Sequence, residues 1–254
     1  MDTLTRGIRW ILRRLAVAYF RIEVEGLHHL PRRGGAIIAA NHPSLLDGVL
    51  LLVVCPRPVR FLVAESLYCH RFLHGLFRLF GAIPVYRTTT HNGEALRAAV
   101  EALRDGELIG IFPEGTIAEG GRMHSIKKGV GLLALKTGVP IIPLGIAGSR
   151  EAYPQNRCVP TPGRIVLSCG RPMRVAVSPE PHIPEDCVQG VLQGIQWQIR
   201  QAMQQAERQW EQEVPANHLK RLQVVCSALV VVPLVQLLWL TAPQRRGFVE
   251  AVRL

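Results

Sequence analysis

The sequence predicts a single α/β domain in which helices cover a mostly parallel β-sheet. Short apolar runs alternate with helical segments between Glu25 and Cys169, and such alternation is typical of βαβ units. The runs are apolar at nearly every position, as in strands of a parallel sheet whose two faces are both buried. The 254 residues, 48% of them hydrophobic, suffice for one such core with an extension at each end.

The first 22 residues predict a basic amphipathic helix that precedes the domain. Residues 3–22 contain no acidic side chain. Apolar residues recur there at helical spacing: Ile8, Ile11, Leu12, Leu15 and Tyr19. Arginines fall largely off that stripe: Arg6, Arg9, Arg13 and Arg14. Such a helix lies in a membrane interface or packs on the protein's own core with a solvated basic face, and we favour the membrane interface.

Residues 23–212 are predicted to form the domain itself. Its predicted strands are residues 36–40, 60–64, 83–86, 108–112, 141–146 and 165–169. Its predicted helices are residues 44–54, 66–80, 93–104, 126–136 and 185–212. The third of these helices is well marked, because Leu96, Val100 and Leu103 share one face and Gly106 follows as a stop signal.

Residues 213–254 are predicted to form a hydrophobic, membrane-associated extension. The pair Val214-Pro215 ends the preceding helix, and a mostly apolar run follows at residues 222–240. As a helix this run would be about 28 Å long, the lower limit for crossing a bilayer. Pro233 and two glutamines weaken that interpretation. Three placements therefore remain open: a transmembrane span, a shallow insertion, and packing onto the protein.

The charge balance predicts anionic partners. A net charge of +11 suits anionic lipid surfaces, the phosphates of coenzyme A and acidic carrier proteins. We expect no nucleic-acid partner, because the sequence has no zinc-finger spacing, basic-region heptad or aromatic RNA-binding signature. We also expect no metal ion. The six cysteines form no Cys-x-x-Cys pair, and no acidic residue completes a site beside His70 and His74.

The segment from Asn41 to Asp47 carries the first candidate site. It follows the apolar run at residues 36–40, so His42 is expected at the carboxyl end of a buried strand, with Asp47 five residues further on. Histidine can take a proton near neutral pH, and a carboxylate on its other nitrogen would fix the tautomer and stabilise the imidazolium. Pro43 suits the first turn of a helix and would let Asp47 fold back toward His42. The alternative is that His42 is a capping or core-edge histidine and Asp47 a solvated helix residue.

A second candidate segment follows the strand predicted at residues 108–112. Glu114, Gly115 and Thr116 come shortly after it, and ligands bind at this edge of open α/β sheets. The glycine lets the backbone approach a ligand closely, while the carboxylate and the hydroxyl can bind the hydroxyl groups of a polyol. The alternative is an ordinary strand-to-loop turn with a solvated glutamate.

With two further segments, the chain resembles the glycerolipid acyltransferase family, typified by 1-acylglycerol-3-phosphate acyltransferase. The family's His-x4-Asp block matches His42 and Asp47, and its Phe-Pro-Glu-Gly-Thr-Arg block matches residues 112–116. A Gly-rich strand ending in Arg matches residues 81–87, and a Val-Pro-Ile-Ile-Pro block matches residues 139–143. The four blocks occur in order and with comparable spacing, over residues 20–210 of the chain.

The resemblance implies transfer of a fatty acyl group from acyl-CoA or acyl-carrier protein to the hydroxyl of a lysophospholipid. The expected acceptor is 1-acylglycerol-3-phosphate and the product is phosphatidate, a step of phospholipid biosynthesis. His42 would act as the general base, oriented by Asp47, and we expect no acyl-enzyme because the chain contains no Gly-x-Ser-x-Gly elbow. We expect no cofactor beyond the acyl donor. The expected location is the cytoplasmic face of the inner or plasma membrane.

The resemblance also implies substrate-binding residues. Cations would hold an anionic headgroup: Arg87, Arg122, Lys127 and Lys128. The turn after the second candidate strand would bind the acceptor's hydroxyl groups: Glu114, Gly115 and Thr116. One departure is plain, since Ile117 stands where the family's third block ends in Arg. Ile117 therefore leaves open another acceptor such as a lyso-aminolipid. Two rivals from other classes are a lipid hydrolase and a non-catalytic lipid-binding membrane protein.

Overall fold

The computed structural model describes residues 3–71, 73–86, 89–118, 123–157, 159–178 and 183–212. Seven strands occur in these residues: β1 (Arg21–Glu25), β2 (Ala36–Ala40), β3 (Val59–Ala64), β4 (Ile83–Val85), β5 (Leu108–Ile111), β6 (Ile141–Ala147) and β7 (Arg164–Cys169). Eight α-helices occur in the same described part: α1 (Thr3–Tyr19), α2 (Asp47–Val54), α3 (Glu65–Tyr68), α4 (His74–Leu79), α5 (Thr89–Arg104), α6 (Gly129–Thr137), α7 (Ser149–Ala152) and α8 (Glu185–Glu211).

The seven strands form one mostly parallel sheet in the order β1-β7-β6-β2-β5-β3-β4. Every neighbouring pair is parallel except β6 and β7, which run antiparallel. The α/β class and the mostly parallel sheet that the sequence predicted are therefore confirmed. Because β6, β2, β5, β3 and β4 share one direction, their carboxyl ends meet at one edge of the sheet, the edge at which such sheets bind ligands.

Helices bury both faces of the central strands. In β2, Ile37 and Ile38 point to opposite faces because successive side chains in a strand alternate, and both are completely buried. Ile38 packs in an apolar cluster with Leu50 of α2, whereas Ile37 packs in a second cluster with Leu133 of α6 and Ile195 of α8. These two apolar layers hold β2 from both sides, and they hold the segment that leaves its carboxyl end.

Helix α8 lies directly against β6 at Gly145. A Cβ atom at this position would lie 2.2 Å from the main-chain carbonyl of Ala202, far inside van der Waals contact. The absence of a side chain at Gly145 therefore allows the close approach of the helix to the strand. Since β6 pairs with β2, this contact supports the part of the sheet that precedes the first candidate site.

The helix predicted at residues 66–80 is in fact two short helices, α3 and α4. The second helix starts afresh from His70, whose carbonyl accepts hydrogen bonds from the N–H groups of both Leu73 and His74. Apolar residues keep a nearly helical spacing through this turn, so periodicity alone does not detect the interruption. Three other helices start at different points: α2 begins at Asp47 and not at residue 44, α5 begins before residue 93, and α6 begins after residue 126. Helix ends carry less periodic signal than helix interiors, so their positions are the hardest to predict.

The sequence analysis missed β1. Its residues alternate charged and apolar side chains, and it lies at the edge of the sheet, where it pairs with β7 alone. Such alternation is itself a strand signal, but only two apolar residues, Ile22 and Val24, carry it here, too few to stand out from loop sequence. Glu23 forms two ion pairs, and the one with Arg164 joins β1 to β7. Arg164 of β7 binds the Glu23 carboxylate at 2.8 Å, and Arg21 binds it at the same distance from within β1.

Helix α1 packs one face on the protein and exposes another. Ala16 and Tyr19 are buried against the core, and the Arg9 guanidinium donates to the carbonyls of Leu52 and Cys55 at the carboxyl end of α2. A cation at this end of a helix is favourable because it meets unpaired carbonyls and the negative end of the helix dipole. The exposed apolar residues of α1 are Leu4, Trp10, Ile11 and Val17. The stripe predicted from the sequence thus divides, since Tyr19 faces the core while Ile11 is exposed.

Among the described residues, no helix is both long enough and apolar enough to cross a bilayer. The apolar run at residues 222–240 and the rest of the predicted extension at residues 213–254 lie outside the described residues. The division of the chain into residues 1–22, 23–212 and 213–254 stays a prediction.

Candidate active site

The two candidate segments lie side by side because the strands that precede them are neighbours. β2 and β5 are parallel, and their register pairs Ala39 with Ile111. His42 comes three residues after Ala39, and Glu114 comes three residues after Ile111. The two residues therefore lie at the same distance beyond the paired strands. The main-chain N–H of His42 lies 3.4 Å from Oε1 of Glu114. Residues 72 positions apart in sequence are thereby brought together at the carboxyl edge of the sheet.

The His42 imidazole is hydrogen-bonded to Asp47. Its Nδ1 atom lies 2.9 Å from Oδ2 of Asp47, whose side chain is completely buried. The same carboxylate oxygen accepts the main-chain N–H of Ser44 at 2.7 Å. Asp47 is the first residue of α2, where the helix dipole favours a negative charge. This geometry excludes the alternative of a solvated Asp47, and it places the Nδ1 proton between His42 and the carboxylate.

The other edge of the imidazole carries Nε2, and the ring lies next to Phe112. The His42 ring stacks on Phe112, with ring centroids 4.0 Å apart and planes 14° from parallel. Its side chain is 15% exposed, and within the described part of the chain Nε2 forms no hydrogen bond. A neutral imidazole with its proton on Nδ1 carries an acceptor lone pair on Nε2. The arrangement therefore provides one proton acceptor with a fixed orientation.

Glu114 is buried and bound to the main chain. Oε1 accepts the N–H of His42, while Oε2 accepts the N–H of His124 at 2.8 Å, and the residue is only 4% exposed. Burial raises the pKa of the Glu114 carboxyl above its ordinary value, although these two N–H donors lower the pKa in part. The sequence analysis expected a carboxylate that binds an acceptor's hydroxyl. The contacts show that this carboxylate joins the His42 segment to the segment around residue 124, and its binding of an acceptor's hydroxyl stays a prediction.

The turn after β5 wraps around the main chain of His42. Gly115 has φ +70° and donates its N–H to the carbonyl of Phe112, which makes the tight turn possible. Further along, the N–H of Ala118 donates to the His42 carbonyl at 2.8 Å. Gly115 and Thr116 are half-buried and lie on the turn itself, whereas Ile117 is buried. His42 is thus held by this turn at both its N–H and its C=O.

Two of the four cations expected to bind a headgroup, Lys127 and Lys128, lie in the described part of the chain. Lys127 is exposed, and its N–H donates to the carbonyl of Pro113, so its main chain adjoins the turn at Glu114. The Lys128 ammonium forms an ion pair with Glu185 of α8 at 2.7 Å, with both side chains more than half exposed. Arg87 and Arg122 lie outside the described residues.

Sequence reasoning missed the contribution of Ser44. Its hydroxyl donates to the carbonyl of Tyr153 at 2.9 Å, and its N–H donates to Asp47. The Ser-x-x-Asp spacing of residues 44–47 is the signal that could have shown this, because an acid three residues after a serine commonly binds back to the serine's N–H in a capping box. Ser44 therefore connects the Asp47 carboxylate with the chain that follows α7.

Comparisons with known proteins identify relatives of this arrangement. Residues 21–147, half of the chain, match the family model described as Acyltransferase, and this region contains His42, Asp47 and Glu114. The fold is similar to the crystal structure of the 1-acyl-sn-glycerophosphate (LPA) acyltransferase PlsC from Thermotoga maritima. The TM-score is 0.64 at 26% identity, and the match covers 83% of this chain and 81% of the other.

Two sequence relatives carry related names. The chain is 32% identical over 143 residues to the 1-acyl-sn-glycerol-3-phosphate acyltransferase of Borreliella burgdorferi, a match that covers 56% of this chain. It is 31% identical over 172 residues to the alpha form of that enzyme from Mus musculus, covering 65% of this chain. The matches span 57% and 58% of these two relatives, so the chain corresponds to little more than half of either. On the match of half its length to the family model, the chain belongs to the acyltransferase family.

Proposed function

We propose that this protein transfers a fatty acyl group from acyl-CoA or acyl-carrier protein to the hydroxyl of 1-acylglycerol-3-phosphate, giving phosphatidate. The observation that carries the proposal is the His42–Asp47 hydrogen bond at the carboxyl edge of the sheet, with Nε2 of His42 without a partner in the described chain. The names of the relatives support the choice of acceptor.

In the proposed reaction, Nε2 of His42 takes the proton of the acceptor hydroxyl as its oxygen attacks the thioester carbonyl. The tetrahedral intermediate then breaks its carbon–sulfur bond, and the protonated imidazole returns the proton to the leaving thiolate. The products are an ester and a free thiol, and no acyl-enzyme forms. Asp47 keeps the proton on Nδ1 and stabilises the imidazolium during the reaction. Acid–base help of this kind contributes about a hundred- to ten-thousand-fold to the rate.

Acceptor binding is proposed for the turn after β5. Gly115 and Thr116 are half-buried and adjoin His42, and we assign the acceptor's glycerol portion to them. We propose that Glu114 holds this turn in place, because its carboxylate already accepts two main-chain N–H groups. We propose Arg87, Arg122 and Lys127 as the headgroup cations. Lys128 belongs to the same set, because its ion pair with Glu185 is more than half exposed and such pairs are weak.

The protein is proposed to act at the cytoplasmic face of the inner or plasma membrane, with α1 in the lipid interface. Trp10 and Ile11 are each at least half exposed, and α1 also carries exposed arginines at positions 6, 13 and 14. Apolar and cationic side chains on one helix favour an anionic lipid surface. Co-sedimentation with vesicles containing phosphatidylglycerol tests this proposal. Loss of binding in Trp10→Ser/Ile11→Ser supports it, and unchanged binding contradicts it.

The deciding assay for the reaction uses purified protein, oleoyl-CoA and lysophosphatidate, with phosphatidate and free thiol measured together. We expect activity in the wild type and its loss in His42→Ala, with His28→Ala as the control because His28 is exposed and distant in sequence. Free fatty acid released without an acceptor would indicate a hydrolase. Lipid binding without turnover would indicate a binding protein, and either outcome overturns the proposal.

Ile117 favours a second class of acceptor, one without a phosphomonoester. This residue is buried beside the His42 segment and offers no charge to a phosphate. The same assay with a panel of acceptors, including a lyso-aminolipid, separates the two candidates. A preference for lysophosphatidate supports the first, and a preference for an acceptor without a phosphomonoester supports the second.

A further inference from the structure

Asn41 binds both polar main-chain groups of one residue in the neighbouring strand. Its Nδ2 atom donates to the carbonyl of Ile146 at 3.0 Å, and its Oδ1 atom accepts the Ile146 N–H at 2.8 Å. The side chain is buried, with only 3% of the residue exposed. Asn41 directly precedes His42, and neither the proposed chemistry nor the substrate contacts use it.

This pair of hydrogen bonds continues the sheet where its main chain stops. β2 pairs with β6 through Ala40 and Leu144, and the same register would bring residue 42 opposite Ile146. The main chain of His42 is not available there, because its N–H faces Glu114 and its C=O accepts from Ala118. The Asn41 amide therefore takes the position that a further residue of β2 would have held. The chain leaves β6 at residue 41 and joins the turn after β5 at residue 42.

We propose that Asn41 is a positioning residue that sets the direction in which His42 leaves the sheet, and this inference rests on the proposed acyl transfer. The amide anchors the peptide before His42 on the β6 side, and Glu114 and Ala118 anchor His42 itself on the β5 side. With anchors on both sides, the imidazole meets Asp47 and keeps Nε2 aimed at the open edge. Without the Asn41 amide, Ile146 lacks its partners and the His42 peptide is held from the β5 side alone.

The Asn41→Asp substitution tests the role of the amide donor, because aspartate has nearly the same size and shape as asparagine. When ionised, the carboxylate still accepts the Ile146 N–H, but it has no donor for the Ile146 carbonyl and faces that oxygen with a negative charge. Burial favours the protonated acid, whose O–H could still donate, so the variants are compared at alkaline pH as well as at neutral pH. Asn41→Gln keeps both amide groups and displaces them by one methylene. Asn156→Asp is the matched control, since Asn156 is exposed in a turn and the change in charge is the same.

Two measurements are made on each variant whose cooperative thermal unfolding shows that it is folded. The first is kcat and KM with oleoyl-CoA and lysophosphatidate. We expect kcat to fall about 100-fold in Asn41→Asp, the usual effect of a misplaced catalytic group, with both KM values changed by less than roughly threefold. The second is the nitrogen-15 spectrum of histidine-labelled protein, in which the Nδ1–H signal of His42 is the one that His42→Gln removes. We expect this signal to shift or broaden in Asn41→Asp and to stay in place in Asn156→Asp.

A folded Asn41→Asp with wild-type kcat and an unchanged Nδ1–H signal overturns the proposal. A rise in KM with kcat unchanged also overturns it, because that result assigns Asn41 to substrate binding. Should Asn41→Asp not fold, the same two measurements on Asn41→Gln decide the question, with a smaller loss of kcat expected. If the wild type itself transfers no acyl group, the proposed function fails, and the Nδ1–H signal still tests whether Asn41 positions His42.

Discussion

The Nδ1 atom of His42 lies 2.9 Å from Oδ2 of Asp47, and that oxygen also accepts the N–H of Ser44. The second carboxylate oxygen, Oδ1, is buried and has no hydrogen-bond partner among the described residues. Asp47 therefore directs its hydrogen bonding through one oxygen, which orients the His42 ring. A buried carboxylate with so few donors gains from a positive charge beside it, and the imidazolium formed during proton transfer would supply that charge.

Replacement of Asp47 by Asn is expected to reduce kcat about a hundred- to ten-thousand-fold, because an amide donor facing His42 favours the tautomer with its proton on Nε2. The KM values should change little, since Asp47 does not contact substrate in the proposed reaction. Steady-state kinetics with oleoyl-CoA and lysophosphatidate measure the effect. Asp105→Asn, an exposed change of the same kind, serves as the control. Wild-type kcat in Asp47→Asn would show that His42 needs no carboxylate.

Glu114→Gln separates two roles for this residue. If Glu114 holds the turn, its replacement lowers kcat through His42, because one main-chain N–H then faces the amide's NH₂ group. If it instead binds the acceptor's hydroxyl, the KM for the acceptor rises while kcat changes less. Michaelis constants for lysophosphatidate at saturating acyl-CoA distinguish the two. The geometry predicts the first result, and a selective increase in acceptor KM would contradict it.

Glu114 should make the stability of the wild-type protein depend on pH in a defined direction. Burial raises the pKa of the Glu114 carboxyl, so the folded protein holds this proton to higher pH than the unfolded chain does. The Glu114 contribution to the free energy of unfolding therefore falls as the pH rises from about 4.5, the ordinary value, through the raised pKa. Urea unfolding at a series of pH values should show this fall in the wild type and a flatter profile in Glu114→Gln. Parallel profiles for the two proteins would contradict the prediction.

Glu23 should show the opposite pH dependence. The side-chain hydrogen bonds from Arg164 are the main cause that holds the pKa of Glu23 below its ordinary value, so its stabilising effect is present near pH 7 and lost as the pH falls through the lowered pKa. Because Glu23 is about one-third exposed, we expect Glu23→Gln to cost on the order of 1 kcal/mol at pH 7. Urea unfolding at pH 7 and in acid measures the difference.

The control for Glu23 is Glu25→Gln in the same strand. Glu25 accepts hydrogen bonds from Gln205 and Gln209, which carry no charge. Its replacement should therefore have an effect that changes little between neutral and acidic pH. If Glu25→Gln shows the same loss at pH 7 and the same recovery in acid, the effect belongs to the strand in general and not to the Arg164 ion pair.

Gly145→Ala should destabilise the fold by at least about 3 kcal/mol or prevent folding, because the new methyl group would meet the main chain of Ala202, which has no flexible end to move away. Gly190→Ala is the matched control. Gly190 lies exposed within α8 with open space around it, so alanine there should stabilise the protein by about 0.5–1 kcal/mol. Chemical denaturation of both variants tests the pair, and a tolerated Gly145→Ala would contradict the close packing of α8 on β6.

The sequence predicted most elements because their signals are local. The apolar runs of β2, β5 and β6 were enough to predict these strands, because strands buried on both faces need apolar side chains throughout. Two features were missed because their local sequence patterns are weak. β1 shows its alternation through only two apolar residues in five, and the apolar spacing continues through the break between α3 and α4.

The approach of His42 to Asp47 follows from local sequence. Five positions separate the two residues, Pro43 follows His42, and the Ser44-to-Asp47 spacing closes a turn, so a few neighbouring dihedral angles suffice to bring them together. The surroundings of that pair depend on how the strands are ordered in the folded sheet. Glu114 meets His42 only because β5 pairs with β2, and Asn41 reaches Ile146 only because β6 lies on the other side. The order of the strands depends on the free energy gained when helices bury both faces of the whole sheet. That gain comes from residues far apart in the chain, so no short stretch of sequence reveals it.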